Sequence, residues 1–182
     1  MIKIIGGKYR SRVINTPEGD TLPTKNMVRE AFSSSLTSYL PNSVCLDLFA
    51  GSGAVGIEFI SRGAKEVYFN DHSKEAYKII NENLAKLQIQ GGRVFNLDYL
   101  EVLNQVKSIH FDIVFLDPPY ALKDSYSKAI RFLIENKMID SNSVVVLEYE
   151  GEISVDDEIK FEKIKNYKYG KTYIRILKEL KE

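Results

Sequence analysis

The residues best suited to chemistry form one short stretch, Asp117-Pro118-Pro119-Tyr120, which follows the run Phe111-Asp112-Ile113-Val114-Phe115-Leu116 directly. A near-continuous apolar run that stops at an acid and two prolines reads as a buried parallel strand ending at the edge of a sheet. Each proline fixes its own φ and lacks an N–H, and a residue before a proline is held extended. Asp117 and Pro118 are therefore stiff. Together they offer a carboxylate and a backbone carbonyl that can accept two hydrogen bonds from one amino group, and Tyr120 adds a flat face beside them. An Asp-Pro turn alone would be ordinary. With a second proline and an aromatic after a buried strand, the bracket suits a planar base carrying an exocyclic NH₂, at the carboxyl end of a strand where open α/β sheets bind ligands.

A second stretch supplies a site for a co-reactant. Val44 to Gly56 reads as a buried strand, a glycine-rich turn and the start of a helix, with Gly51, Gly53 and Gly56 spelling G-x-G-x-x-G and Asp71 at the end of the next strand. Taken mechanically this is a dinucleotide fingerprint with its ribose-binding acid. Asp47, four residues before the first glycine, would repel a pyrophosphate docked on the helix N-terminus. It suits the amino end of a cationic, phosphate-free ligand, which disfavours NAD and favours S-adenosylmethionine. Phe49, Ala50 and Ser52 in the turn, and His72 after Asp71, are assigned to the same cofactor site. Asp98, ending a third strand with Tyr99 beside it, is placed to accept the adenine amino group, to cap the helix from Leu100 to Val106, or to do both.

These residues need a scaffold, and the remaining pattern describes one. Ser73 can cap a helix with Ala76, Ile79, Ile80, Leu84 and Leu87 on one face, broken by Gly91-Gly92. Arg93-Val94-Phe95 makes the third strand, the stretch before Asp117 the fourth, and Val144 to Glu148 a fifth, after a helix with Tyr126, Ala129, Ile130 and Leu133 inward. Phe161–Ile164 and Tyr173–Leu177, joined by a turn at Tyr169-Gly170-Lys171, form a hairpin. The expected fold is α/β: a doubly wound, mostly parallel, seven-stranded Rossmann-like sheet with one antiparallel edge strand from the C-terminal hairpin.

Two units follow, an extension over residues 1–41 and a catalytic domain over 42–182. In the extension, Lys3-Ile4-Ile5 and Arg12-Val13-Ile14 read as short strands around Gly6-Gly7-Lys8-Tyr9-Arg10, and Pro17-Glu18-Gly19-Asp20 as a turn. From Asn26 to Leu40, Val28, Ala31, Phe32, Leu36 and Tyr39 fall on one helical face, and Pro41-Asn42 ends it. Lys8, Tyr9, Arg10, Arg12 and Arg29 suit phosphate contact and base stacking.

Composition bounds the rest. With 182 residues, 44% hydrophobic and 27% charged, the chain is a soluble globular domain with a small appendage. It shows no membrane-spanning run and no signal-peptide core, which points to the cytoplasm. Its single cysteine, Cys45, excludes an intrachain disulfide and sits in a strand pattern as a small core residue; two histidines and no clustered thiols leave no metal site. Net charge is zero, which argues against a nucleic-acid partner until the distribution is considered. The first dozen residues carry Lys3, Lys8, Arg10 and Arg12 without an acid. The acidic block from Glu150 to Glu158 and the lysines from Lys160 to Lys171 read as solvated surface.

The chain resembles the bacterial small-subunit ribosomal RNA guanine-N2 methyltransferase D family, RsmD-like enzymes of the class I S-adenosylmethionine fold. The resemblance spans essentially the whole chain. It rests on Ile4-Ile5-Gly6-Gly7-Lys8-Tyr9-Arg10, Pro23-Thr24 with Val28-Arg29-Glu30-Ala31-Phe32, Leu46 to Gly53, Leu116 to Tyr120, and Tyr169-Gly170-Lys171-Thr172. Leu22 stands where the family usually has arginine, and Lys25 where threonine is usual. The resemblance implies transfer of a methyl group to the N2 amino group of a guanine in 16S ribosomal RNA, free or in an assembling subunit, by a monomer without a metal. It adds Thr24 to the RNA contacts. Asp117 and the Pro118 carbonyl would draw the amino group toward tetrahedral geometry while Tyr120 stacks on the base. Adenine N6 and protein glutamine are alternative targets; glutamine enzymes typically carry asparagine in place of Asp117. An NAD-linked oxidoreductase and a non-catalytic RNA-binding module are the readings from other classes.

Overall fold

The structure is a computed structural model that describes residues 1–18 and 23–182. Leu22 and the Gly19-Asp20 half of the expected turn lie outside the described residues, as does the side chain of Thr24. A two-stranded antiparallel ribbon, β1 (Ile2–Lys3) and β2 (Val13–Ile14), precedes α1 (Pro23–Ser35). Next come β3 (Val44–Asp47), α2 (Ala54–Ser61), β4 (Glu66–Asn70), α3 (Lys74–Lys86), β5 (Gly92–Phe95), α4 (Tyr99–Gln105) and β6 (Ile113–Leu116). A 3₁₀ turn at Tyr120–Leu122 leads to α5 (Ser125–Glu135), β7 (Val144–Glu150), β8 (Phe161–Tyr169) and β9 (Thr172–Leu180).

The seven long strands form one sheet in the order β5-β4-β3-β6-β7-β9-β8. From β3 the chain winds outward to β4 and β5, then returns to lay β6 on the other side of β3. The gap between the carboxyl ends of β3 and β6 is thus the topological switch point, where such sheets bind ligands. Asp47 pairs with Phe115 across it. The antiparallel strand is not at the edge: β9 runs between β7 and β8. Burial explains the order, because β9 carries the buried Ile174, Ile176 and Leu177, whereas β8 is mostly exposed and lysine-bearing. A charged strand at the edge discourages pairing with a second chain.

One face of the sheet is covered by α1, α2 and α3, the other by α4 and α5. The ribbon and α1 belong to the first core. Ile4, Ile14, Val28, Phe32, Leu36 and Leu40 are buried in it, and Phe32 stacks on Phe115 with ring centres 5.2 Å apart. α1 ends before the expected Leu40. The Leu36 N–H is shared between the Phe32 and Ser33 carbonyls, a tightening that turns Tyr39 out to the surface instead of onto the buried face. Cys45 is a core residue, with burial pushing its thiol up to about 12. Among the described residues no helix is long and apolar enough to cross a membrane.

Candidate active site

Four neighbouring strand ends bring polar groups to one edge of the sheet: Asp47 on β3, Asn70 on β4, Asp117 after β6 and Glu148 near the end of β7. Three adjoining cavities lie along this edge. The first, about 560 Å³, is lined by Phe49, Gly51, Asp71, His72, Asp98 and Tyr99 among others. The second, about 100 Å³, includes Asp47, Ala50, Ser52, Arg29 and Lys25. The third, about 250 Å³, includes Pro118, Pro119, Tyr120, Tyr126 and Lys25. Asp117 lines all three, and Glu148 lines the second and third.

The first two cavities fit a nucleoside with a cationic tail. Asp47 is 1% exposed; its Oδ2 accepts the Gly56 N–H at 3.0 Å, and its Oδ1 is buried without a partner among the described residues. Burial pushes its carboxyl up to about 7, offset by the Gly56 bond and raised further by Asp117 and Asp71. An ammonium group would satisfy the orphan oxygen and reverse that penalty. The glycines divide the work. At Gly51 (φ +56°) a Cβ would point into open space, so the backbone lies bare to a ligand, while at Gly56 a Cβ would sit 2.2 Å from the Phe69 ring and force α2 off β4. Asp71 Oδ2 accepts the Gly51 N–H at 2.9 Å, and its Oδ1 accepts the Ser73 N–H at 2.9 Å. The carboxylate thus holds the turn as well as lining the cavity. Asp98 caps α4 through the Leu100 N–H at 3.0 Å, which leaves its second oxygen for a ligand. Tyr99 is buried and packs on Phe49 at 5.5 Å between ring centres.

Two groups at this edge escape a reading of the local sequence. Asn70 donates to the Leu97 carbonyl at 3.0 Å and accepts the Leu97 N–H at 3.1 Å, tying the loop after β5 to the end of β4. Asn83 on α3 donates to the Ser52 carbonyl at 3.0 Å, fixing the glycine turn from behind. Each looks like a polar residue on a helix or strand until the tertiary structure places it.

The third cavity adjoins the bracket. Pro118 is buried, Asp117 partly buried, and Tyr120 is 78% exposed, with Lys123 over its ring at 5.4 Å. Glu148, which the sequence presented only as the end of a strand, shares a hydrogen bond with Asp117. Burial raises its pKa, and the Asp117 bond and the charge of Lys25 pull it back in part. The Tyr126 hydroxyl donates to the Glu148 carbonyl at 2.6 Å and fixes that strand end. Burial thus leaves Glu148 holding its proton more readily than an exposed carboxyl would.

The basic extension divides into exposed and buried parts. Lys8, Arg10 and Arg12 are exposed, and Lys8 lies over the Tyr9 ring. Arg29 is corrected: it is 4% exposed, ion-paired with the buried Glu58 at 3.5 Å, and donates to the Lys3 carbonyl at 2.6 Å. Its neighbours Val28 and Phe32 face the core, and the guanidinium is drawn in with them toward Glu58, so it pins the ribbon instead of meeting a phosphate outside. Glu58 also accepts the N–H groups of Ile5 (3.0 Å) and Gly6 (2.9 Å) and the Arg62 Nε–H (3.0 Å). Ser61 accepts the Tyr9 N–H at 2.9 Å. The Gly6-Gly7 loop is therefore docked on the end of α2.

The family model described as conserved hypothetical protein 95 matches residues 2–178. Ribosomal RNA small subunit methyltransferase D of Haemophilus influenzae is 36% identical over 153 residues, 82% of this chain and 79% of that protein. The enzyme of the same name from Buchnera aphidicola is 35% identical over 155 residues, 85% and 81% of the two chains. The solved structure of the Escherichia coli protein yhhF matches with a TM-score of 0.83 at 27% identity, covering 98% of this chain and 97% of that one.

Proposed function

The chain belongs to the ribosomal RNA small subunit methyltransferase D family, and we propose that it transfers the methyl group of S-adenosylmethionine to the N2 amino group of a guanine in small-subunit ribosomal RNA. One observation carries the mechanism: Asp117 stands where the three cavities meet. In the first cavity Asp71 would hold the ribose of the cofactor, and Asp98 and Tyr99 its adenine. In the second, Asp47 would hold the ammonium of its amino-acid tail. The target base enters the third. Bound in this way, the cofactor supplies a methyl group activated by its sulfonium.

The chain's own residues prepare the acceptor. An amino group conjugated to a base is a weak nucleophile because its lone pair is delocalised into the ring. The Asp117 carboxylate and the Pro118 carbonyl accept its two N–H bonds, turn the lone pair toward the methyl group and stabilise the positive charge that develops on nitrogen. Tyr120 stacks on the base, which leaves its own stack to reach the cavity. Asp117, with Glu148 beside it in the same cavity, accepts the proton that the methylated nitrogen then releases. Lys8, Arg10, Arg12 and Thr24 contact RNA in this reading, the protein acts as a cytoplasmic monomer, and residues 1–41 serve as the RNA-binding extension. The test is methyl transfer from labelled S-adenosylmethionine to small-subunit RNA, free and in assembling particles, followed by nucleoside analysis. Label in N2-methylguanosine is expected; label in N6-methyladenosine would overturn the target.

A further inference from the structure

Beyond the bracket, the last three strands carry a ladder of rings and cations on one face. Tyr149 on β7 stacks on Tyr173 of β9, with ring centres 5.2 Å apart and planes 11° apart. The Arg175 guanidinium lies over the Tyr149 ring at 5.6 Å and donates to Asn166 Oδ1 at 3.1 Å. Lys168 of β8 lies over the Tyr173 ring at 5.4 Å. Both tyrosines and Arg175 are partly exposed, and Lys168 is exposed. We propose that this ladder is a second RNA-binding surface, which takes the single-stranded segment flanking the target nucleotide. The proposal rests on the function argued above and extends it to a part of the chain that function does not use.

Three observations converge on RNA as the occupant. The ladder is continuous with the target cavity, because Tyr149 and Thr172 line that cavity while Tyr149 also begins the stack. Its cations carry no ion pair: among the described residues no carboxylate pairs with Lys168 or Arg175, although Arg175 also donates to the Tyr149 hydroxyl at 3.4 Å, whereas Lys163 and Lys181 of the same hairpin are ion-paired with Glu179 and Glu162. Stacked aromatic faces beside cations are the chemistry by which sheets hold single-stranded nucleic acid, with bases on rings and backbone on charge. A cross-strand tyrosine pair can also serve sheet stability alone. That role needs neither unpaired cations nor continuity with a cavity. Glu150 and Glu152 line the cavity itself, so phosphate is held off its mouth and carried by the two outermost strands, and the base is the part that enters.

The experiment compares the intact protein with the double variant Lys168→Gln/Arg175→Gln, with S-adenosylhomocysteine present. Binding to a fluorescein-labelled single-stranded 12-mer RNA is followed by anisotropy across a salt series. The expected result is roughly tenfold weaker RNA binding and a salt dependence shallower by about 1.4 in log–log slope, about 0.7 for each lost contact to a single strand, with cofactor binding and melting unchanged. The charge-conserving Lys168→Arg/Arg175→Lys protein should recover most of the affinity. Unchanged affinity and slope in the glutamine variant, or tighter binding by the parent protein to DNA of the same sequence, would overturn the inference. Methylation by the parent protein is scored separately. If it methylates small-subunit RNA while the glutamine variant binds as tightly, only the ladder fails; if it methylates no RNA, the proposed function fails.

Discussion

Asp47 accepts the Gly56 N–H through Oδ2 at 3.0 Å and leaves Oδ1 buried with no partner among the described residues. The half-satisfied carboxyl explains why an acid stands before a glycine turn of a kind that elsewhere greets phosphate. Its burial raises the pKa to about 7. Binding an ammonium requires the ionised form, so affinity for S-adenosylmethionine should fall as pH drops from 8 to 6. The stability sign is the reverse. The folded carboxyl holds its proton at pH values where the unfolded one has lost it, so the stabilisation is complete at acid pH and is lost as pH rises toward 7. Asp47→Asn should weaken cofactor binding by about tenfold to a hundredfold, in line with the loss of one charged hydrogen bond. Without cofactor at pH 8 it should melt no lower than the parent. Calorimetric titration and melting curves across pH check both.

Glu148 completes the bracket. Glu148→Gln keeps a hydrogen-bonding group against Asp117 but removes one ionisation of the pair. The Glu148 ionisation, which burial raises, should therefore vanish from the dependence of kcat on pH, with cofactor affinity unchanged. Glu148→Ala, which leaves Asp117 unheld, should lower kcat further, by roughly tenfold for the loss of about one hydrogen bond's worth of positioning. An identical pH profile in the glutamine variant would remove Glu148 from the mechanism.

Tyr120 is 78% exposed and in the proposed function meets the base, so Tyr120→Ala should leave the melting temperature unchanged. Losing one base–aromatic stack, worth about 1–3 kcal/mol, should lower kcat/KM for RNA by about fivefold to 150-fold. Steady-state kinetics with varied RNA provide the check.

Gly7 has φ +76°, and a Cβ there would lie 1.8 Å from the Ser61 carbonyl oxygen. Gly7→Ala should displace the docked loop at a cost of about 3 kcal/mol, lowering the melting temperature by about 6–12 °C for a domain of this size. The effect should appear in thermal melts before it appears in RNA affinity.

The alternation of strands and helices, the glycine turn and the bracket were legible because each is a local pattern with a local physical cause. What escaped notice depends on register. Leu116 pairs with Leu147 in parallel strands, so Asp117 and Glu148 stand one residue further along each strand. That pairing of strand-end acids is visible only when the two strands are known to be neighbours. Arg29 was misread for a related reason. A cation at the start of a basic extension looks like a phosphate contact until Glu58, 29 positions away in the chain, is seen beside it. The Gly6-Gly7 pair looked like the tip of a loop and is instead a close approach to α2.

The central claim is that Asp117 acts on the target amino group and not on the cofactor. Asp117→Ala should lower kcat by about a hundredfold to a thousandfold, the usual effect of losing a preorganised group aimed at developing charge. Affinity for S-adenosylmethionine, measured by titration on the same protein, should stay within about threefold, because the proposed function assigns its binding to Asp47 and Asp71. Loss of cofactor affinity in proportion to the loss of kcat would contradict the account.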